Sequence, residues 1–281
     1  ATIGWATAFI AGKIVLAEMT PLPAATWRYA AAALILFPFA LRRGALATLR
    51  ASATPLALMV VCGGVLYPWL FLAALGRTTA TNAALLIALN PVLTLLLSPL
   101  VGERIGRGRL AGVVVALTGA ATVITAGDLR HVTSLASSAF STGDLLAVAA
   151  AASWATFNLA ARSVAARVHP ALTNCVVYGA GAVVLYSLGR PEHPWAQLAA
   201  TTPAARASLL TMAVLSSVIA GQFFLVGVRT VGVSRTVVFV YFVPVLTAAL
   251  SVALLGESFH VAQAVGGAGV LAGVYWTTRA S

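Results

Sequence analysis

The side chains able to make or break bonds are few in this sequence, and none stands where bond-making would need it. Its six acids are Glu18, Glu103, Asp128, Asp144, Glu192 and Glu257, and each lies at an end of an apolar run or between two runs. The four histidines (His131, His169, His193 and His260) are placed the same way. Cys62 and Cys175 are deep in apolar runs, far apart and without CxxC spacing, so neither metal nor redox work is expected of them. A catalytic site needs clustered acids, histidines or a nucleophile beside a base. The pattern argues against an enzyme, and no cofactor or metal is expected. What the apolar runs do contain is amides and aromatic rings, namely Trp5, Phe9, Tyr67, Trp69, Asn90, Trp154, Asn158, Gln222 and Tyr241, with the cations Lys13 and Arg28. Such groups stack and form hydrogen bonds. Their chemistry is reversible binding.

The elements that carry them follow from composition. The chain has 281 residues, 60% hydrophobic and 8% charged, where a soluble domain has roughly a quarter charged. The apolar residues fall in long runs, which read as transmembrane helices. Nothing alternates as a β-barrel strand would. Turn chemistry such as "TPLP", "RRGA", "GRPEHP" and "ATTPAAR" divides the runs into ten spans. Their limits are 2–18, 24–41, 53–75, 79–101, 109–126, 143–161, 170–189, 204–228, 233–255 and 260–278. The fold class is therefore an all-α polytopic membrane protein with ten transmembrane helices, its partner the lipid bilayer.

A net charge of +11 can signal nucleic-acid binding. Here the cations are scattered between apolar runs, with no basic stripe interleaved with aromatics, so no nucleic acid is expected. With the N-terminus inside, inner loops hold Arg42, Arg43, Arg50, Arg104, Arg107, Arg109, Arg162, Arg167, Arg229, Arg235 and Arg279, against Glu103 alone. Outer loops hold only Arg77, Arg130, Arg190 and Arg206, against five acids. The positive-inside rule then puts both termini in the cytoplasm.

The sequence also repeats. "PVLTLLLSPLVGE" at Pro91–Glu103 matches "PVLTAALSVALLGE" at Pro244–Glu257 at six of the first eight positions, and both end in Gly-Glu. "GWAT" at Gly4–Thr7 matches "SWAT" at Ser153–Thr156, and Gly112 and Gly119 match Gly266 and Gly273. Spans one to five thus correspond to six to ten. An odd number of crossings per copy inverts the second copy, and inverted repeats mark transporters. The expected division is a first repeat at 1–126, an outer loop at 127–142 and a second, inverted repeat at 143–281. Pro91 and Pro244 remove an N–H inside matching spans, and Pro68 aligns with Gly221, so these four residues are candidate hinges. Asn90 precedes one proline and Tyr241 lies just before the other. Trp5 and Phe9 share a helix face with Lys13, as Trp154 and Asn158 do with Arg162. For Asn90, Asn158 and Gln222 two readings stay open, interhelical glue or a wet cavity. Trp69 and Trp154 sit nearer mid-span than an interfacial belt would. Lys13 and Arg28 lie in the outer half of the membrane, where they could meet a substrate carboxylate or snorkel to the surface. Glu103 and Glu257 read as caps or ion-pair partners. The Gly-rich stripes of the fifth and tenth spans favour close packing within one chain over homodimerisation, so a monomer is expected.

These features resemble the drug/metabolite transporter superfamily and its ten-helix EamA-type branch. The residues carrying the resemblance are the two proline-to-Gly-Glu segments, the glycines after them and "TWRY" around Arg28. The resemblance covers essentially the whole chain. It implies a bacterial inner-membrane exporter of small molecules, amino acids and aromatic ones among them, with a midplane cavity lined by spans 1, 3, 4, 6, 8 and 9. Exchange of anionic metabolites such as sugar phosphates is the alternative. It would need several cations at the cavity, and the spans hold only Lys13 and Arg28.

Overall fold

A chain this apolar cannot leave backbone N–H and C=O groups unpaired in hydrocarbon, and helices pair them within each segment. The computed structural model describes residues 1–40, 45–101, 107–124, 141–231, 236, 240 and 242–279, and among these there is no β-strand. The helices are α1 (Thr2–Leu16), α2 (Pro21–Ala40), α3 (Ala45–Ala51), α4 (Ala53–Leu75), α5 (Ala80–Leu100), α6 (Arg107–Ile124), α7 (Thr142–Ala165), α8 (Pro170–Gly189), α9 (Pro194–Ala200), α10 (Pro203–Val231), α11 (Phe242–Leu255) and α12 (Val261–Arg279). Six of them, α2, α4, α5, α7, α8 and α10, are at least 20 residues long and apolar enough to cross a bilayer. The shorter α1, α6 and α11 are apolar too. The molecule is a multi-pass membrane protein. The short α3 and α9 fall in segments read from sequence as loops, and α7 continues to Ala165, past the expected end at 161. Capping explains several helix starts. Thr79, Ser141 and Thr202 accept hydrogen bonds from the amides of Asn82, Asp144 and Ala205.

Three helices are irregular. In α4 a π-helical stretch, Val60–Leu66, ends just before Tyr67 and Pro68. In α10 a second one, Met212–Ala220, ends just before Gly221. The expected breaks at Pro68 and Gly221 thus take the form of widened turns. Such turns leave carbonyls without their usual i+4 donors. Two tyrosines supply donors instead: the Tyr29 hydroxyl donates to the Gly63 carbonyl at 3.1 Å, and the Tyr178 hydroxyl donates to the Ser217 carbonyl at 3.1 Å. In α5 the regular helix stops at Ile87 and restarts at Asn90. Pro91 therefore lies in the first turn of a new segment, where its missing N–H costs nothing, and not inside a continuous kinked helix. Pro244 lies within α11, near the first of its described residues.

Packing pairs the helices reciprocally. α1 contacts α10 and α11, while α7 contacts α4 and α5. α2 packs against α8, and α6 against α12. The α6–α12 contact is backbone to backbone. A Cβ at Gly273 would lie 2.3 Å from the Ala116 nitrogen, and one at Gly119 would lie 2.5 Å from the Gly266 oxygen. The small-residue stripes thus face each other within the chain.

Candidate functional site

The break in α5 and the residue that follows the π turn of α4 border a cavity. α1 supplies Trp5 and Phe9 to its wall, α4 supplies Tyr67, and α7 supplies Trp154. The broken stretch of α5 supplies Ala84, Ile87, Ala88 and Asn90, and the start of α11 supplies Val243 and Pro244, with Val240 just before it. Between these walls lie about 420 Å³ of free space, but only about 40 Å³ can take the centre of a water molecule. A water needs roughly 10–15 Å³ of such space, so the cavity in this conformation is only large enough for a few waters. A larger guest requires the walls to part.

The rings form a continuous layer. Trp154 stacks on Phe157 at 4.5 Å between centroids, meets Tyr67 at 4.6 Å, and meets Trp5 edge-on at 6.2 Å. Phe224 of α10 closes on both tryptophans, at 5.5 Å and 5.9 Å. Phe9 meets Phe71 edge-on at 5.0 Å. Flat faces and ring edges of this kind accept another aromatic group in stacked or edge-on contact.

One buried polar pair joins two of these helices. The Asn158 side-chain amide donates to Oδ1 of Asn90 at 2.9 Å, and both residues are buried. Oδ1 of Asn158 has no partner among the described residues. The two readings of these asparagines converge here. They join α5 to α7, and Asn90 also lines the cavity, whereas Asn158 does not.

Arg28 stands behind the rings. It is 4% exposed. Its Nε and Nη2 donate to the Ser217 and Ser216 hydroxyls at 3.0 Å and 2.9 Å, both in the π-helical stretch of α10. Its guanidinium carbon lies 5.4 Å from the Tyr29 ring centre and 5.7 Å from that of Phe71. None of these partners is an acid, and Nη1 is buried with no partner among the described residues. A buried cation held this way is costly to keep and has a donor to offer an anion. Arg28 does not line the cavity; its neighbour Phe71 packs on Phe9, which does.

The other sequence candidates take different places. Lys13 is half-buried, and its ammonium donates to the Thr78 carbonyl at 2.7 Å. Gln222 is half-buried near the start of α8 and donates to the Pro170 carbonyl at 3.4 Å. Trp69 is 38% exposed and does not line this cavity. A Cβ on Gly221 would lie 2.5 Å from the Tyr178 hydroxyl, so this glycine makes room for the bond to the π turn. Tyr241 and Glu103 lie outside the described residues. The sequence reading missed Ser216, Ser217, Phe71 and Phe224. It also missed Tyr29 and Tyr178, which stack at 4.5 Å. The two tyrosines were within reach of the repeat argument, because they keep the register that pairs Trp5 with Trp154.

Comparison with known proteins gives a consistent answer. The chain is 29% identical to a transporter of Archaeoglobus fulgidus over 98% of its length and 93% of that protein. It is 29% identical to a probable terminal-alkyne amino-acid exporter of Streptantibioticus cattleyicolor, over 99% and 90% of the two chains. A solved crystal structure shares the fold with a TM-score of 0.65 at 21% identity, covering 98% of this chain and 95% of that one. Residues 1–125 and 141–279 each match the EamA-like transporter family, and this chain belongs to it.

Proposed function

We propose that this chain exports amino acids, aromatic ones included, and related small metabolites across a bacterial inner membrane by alternating access. The observation that carries the reading is the cavity itself. It has aromatic walls with one member of a buried amide pair, Asn90, among its lining residues, and the break in α5 and Pro244 of α11 border it. A flat apolar side chain suits the rings. Once the walls part, an α-ammonium group suits the Asn158 oxygen, and Arg28, whose Nη1 has no partner among the described residues, is the contact for the carboxylate. Lys13, bound to Thr78, is the second candidate. The relative from Streptantibioticus cattleyicolor, whose name is that of an amino-acid exporter, supports the substrate class.

Ten membrane crossings in two inverted halves, 1–126 and 143–281, joined by an outer loop at 127–142, fit the reciprocal packing. The contacts of α1 with α10 and α11 mirror those of α7 with α4 and α5. The halves rock about the breaks beside Pro68, Pro91, Gly221 and Pro244, a monomer suffices, and both termini stay in the cytoplasm. Sugar-phosphate exchange has less support, because no described lining residue is charged.

The test is uptake by proteoliposomes of a labelled panel of amino acids, nucleosides and sugar phosphates, with and without a proton gradient. Aromatic amino acids are expected to accumulate, and R28Q to lose the preference for phenylalanine over its amide. Failure of every amino acid to cross overturns the reading.

A further inference from the structure

The first half of α5, Ala80–Ile87, is held in an unusual way. It meets Asn90–Leu97 at a turn, Ala88–Leu89, whose amides bond back to the Ala84 and Leu86 carbonyls, and Pro91 beyond it has no N–H to continue the ladder. Its inner turns reach the cavity only through the apolar Ala84 and Ile87. Its outer turn is held by polar groups from elsewhere in the chain. Glu257, in the α11–α12 connection, accepts from the Ala80 amide at 2.7 Å, the Thr81 amide at 3.3 Å and the Thr81 hydroxyl at 3.2 Å. Ser251 of α11 meets the Thr81 hydroxyl at 2.8 Å, and Gln263 of α12 donates to Asn82 at 2.7 Å. Just before the helix, the Thr78 hydroxyl donates to Asp144 of α7 at 2.6 Å, and its carbonyl accepts from Lys13 of α1.

We infer that Ala80–Ile87 is the outer gate of the cavity, hinged at Ala88–Leu89 and latched shut by Glu257. The inference rests on the alternating-access reading but on no particular substrate. Helix N-termini carry N–H groups without intrahelical partners and a partial positive charge. Glu257 answers both with a carboxylate from 177 residues away in the chain. Gly256 makes this possible: its φ of +66° turns the chain back over α5 in a conformation that side chains with a Cβ rarely adopt. The energetics allow release. Glu257 is only half-buried, so water rehydrates both it and the freed N–H groups at the outer end. Swinging the half-helix breaks one buried side-chain bond, Thr81–Ser251, while Ala84 and Ile87 at the cavity have no side-chain hydrogen bond to lose. A few loop or element-end residues that absorb the backbone change are the usual hinge.

The test uses the full chain in liposomes, with Cys62 and Cys175 replaced by serine and a reporter Ile87→Cys in the cavity wall. An impermeant maleimide is added from outside. Glu257→Gln removes the charge from the latch and is expected to speed labelling by on the order of tenfold, as expected for loss of hydrogen bonds to a charged group. In a second variant, Thr81→Cys with Ser251→Cys, oxidation is expected to stop labelling and reductant to restore it. The inference is overturned if E257Q labels no faster, if the double-cysteine protein fails to cross-link, or if the oxidised form labels as fast as the reduced one. Labelling needs no substrate, so a failure of amino-acid flux does not touch this result.

Discussion

The buried asparagine pair makes an asymmetric prediction. Both residues are at most 2% exposed, and one bond of 2.9 Å joins them. Asn90→Ala and Asn158→Ala delete the same atoms, so their transfer and cavity contributions are similar. They differ in the polar atoms left behind. Asn158→Ala orphans Oδ1 of Asn90 but removes Oδ1 of Asn158, which already has no partner among the described residues. The number of unsatisfied acceptors is unchanged, and the loss is the bond itself, about 0.6–2 kcal/mol between membrane helices. Asn90→Ala leaves Asn158 with neither end of its amide paired. It adds one buried unsatisfied group, a further ~1–3 kcal/mol. Asn90→Ala should therefore be the more destabilising variant by that difference. The double variant should cost less than the sum of the two, because one bond is counted twice in the singles. Reversible denaturant unfolding in bicelles gives all four free energies of the cycle. Equal losses, or a larger loss for Asn158→Ala, would refute the orphan-atom reasoning.

Other outcomes follow from the same structure. Gly273→Ala should destabilise by ~1–3 kcal/mol, because its Cβ would strike the backbone of α6. Gly179→Ala should be neutral or slightly stabilising, since the nearest atom would lie 3.7 Å away, and thermal unfolding of both separates the cases. Glu18, outside the spans, accepts from the Thr202 hydroxyl and the Thr202 amide, both at 2.6 Å, and these bonds hold its carboxyl below the usual range. A lowered value means stabilisation that is present above the ordinary glutamate pKa of about 4.3 and lost as pH falls through the folded value. The melting-temperature gap between the native chain and Glu18→Gln should thus be constant near neutrality and close only in acid. Pro91→Ala and Pro244→Ala should slow flux in proteoliposomes while leaving membrane insertion intact; unchanged rates in both would reduce the breaks to static geometry.

Much of the architecture was legible because bilayer physics leaves a chain few choices. The third span was read as 53–75, and α4 occupies those residues. The seventh was read as 170–189, and α8 has those limits. Proline, threonine and glycine punctuate helices locally, so local sequence suffices there. The form of the irregularities was not legible. A proline signals a missing donor, but whether the chain answers with a kink, a π turn or a clean break depends on which neighbour supplies the next hydrogen bond. At Pro68 and Gly221 a tyrosine from another helix did so, and the helix widened. At Pro91 the helix stopped and began again. Trp69 shows the same limit. Its depth suggested a cavity role, but depth does not say which face of α4 it occupies.

The sequence by itself determined that this is a multi-pass helical membrane protein of transporter type, because those properties are sums and spacings along the chain: apolar run length, charge placement and a repeated motif. Tertiary structure alone decided what the scarce polar groups do. Glu257, read as a cap or an ion-pair partner, caps a helix that begins 177 residues before it. Arg28 faces two hydroxyls and no acid. Asn90 and Asn158 became one pair, with Asn90 at a cavity wall. In hydrocarbon a polar side chain takes its role from the one partner within 3 Å or so, and that partner is set by how distant helices pack.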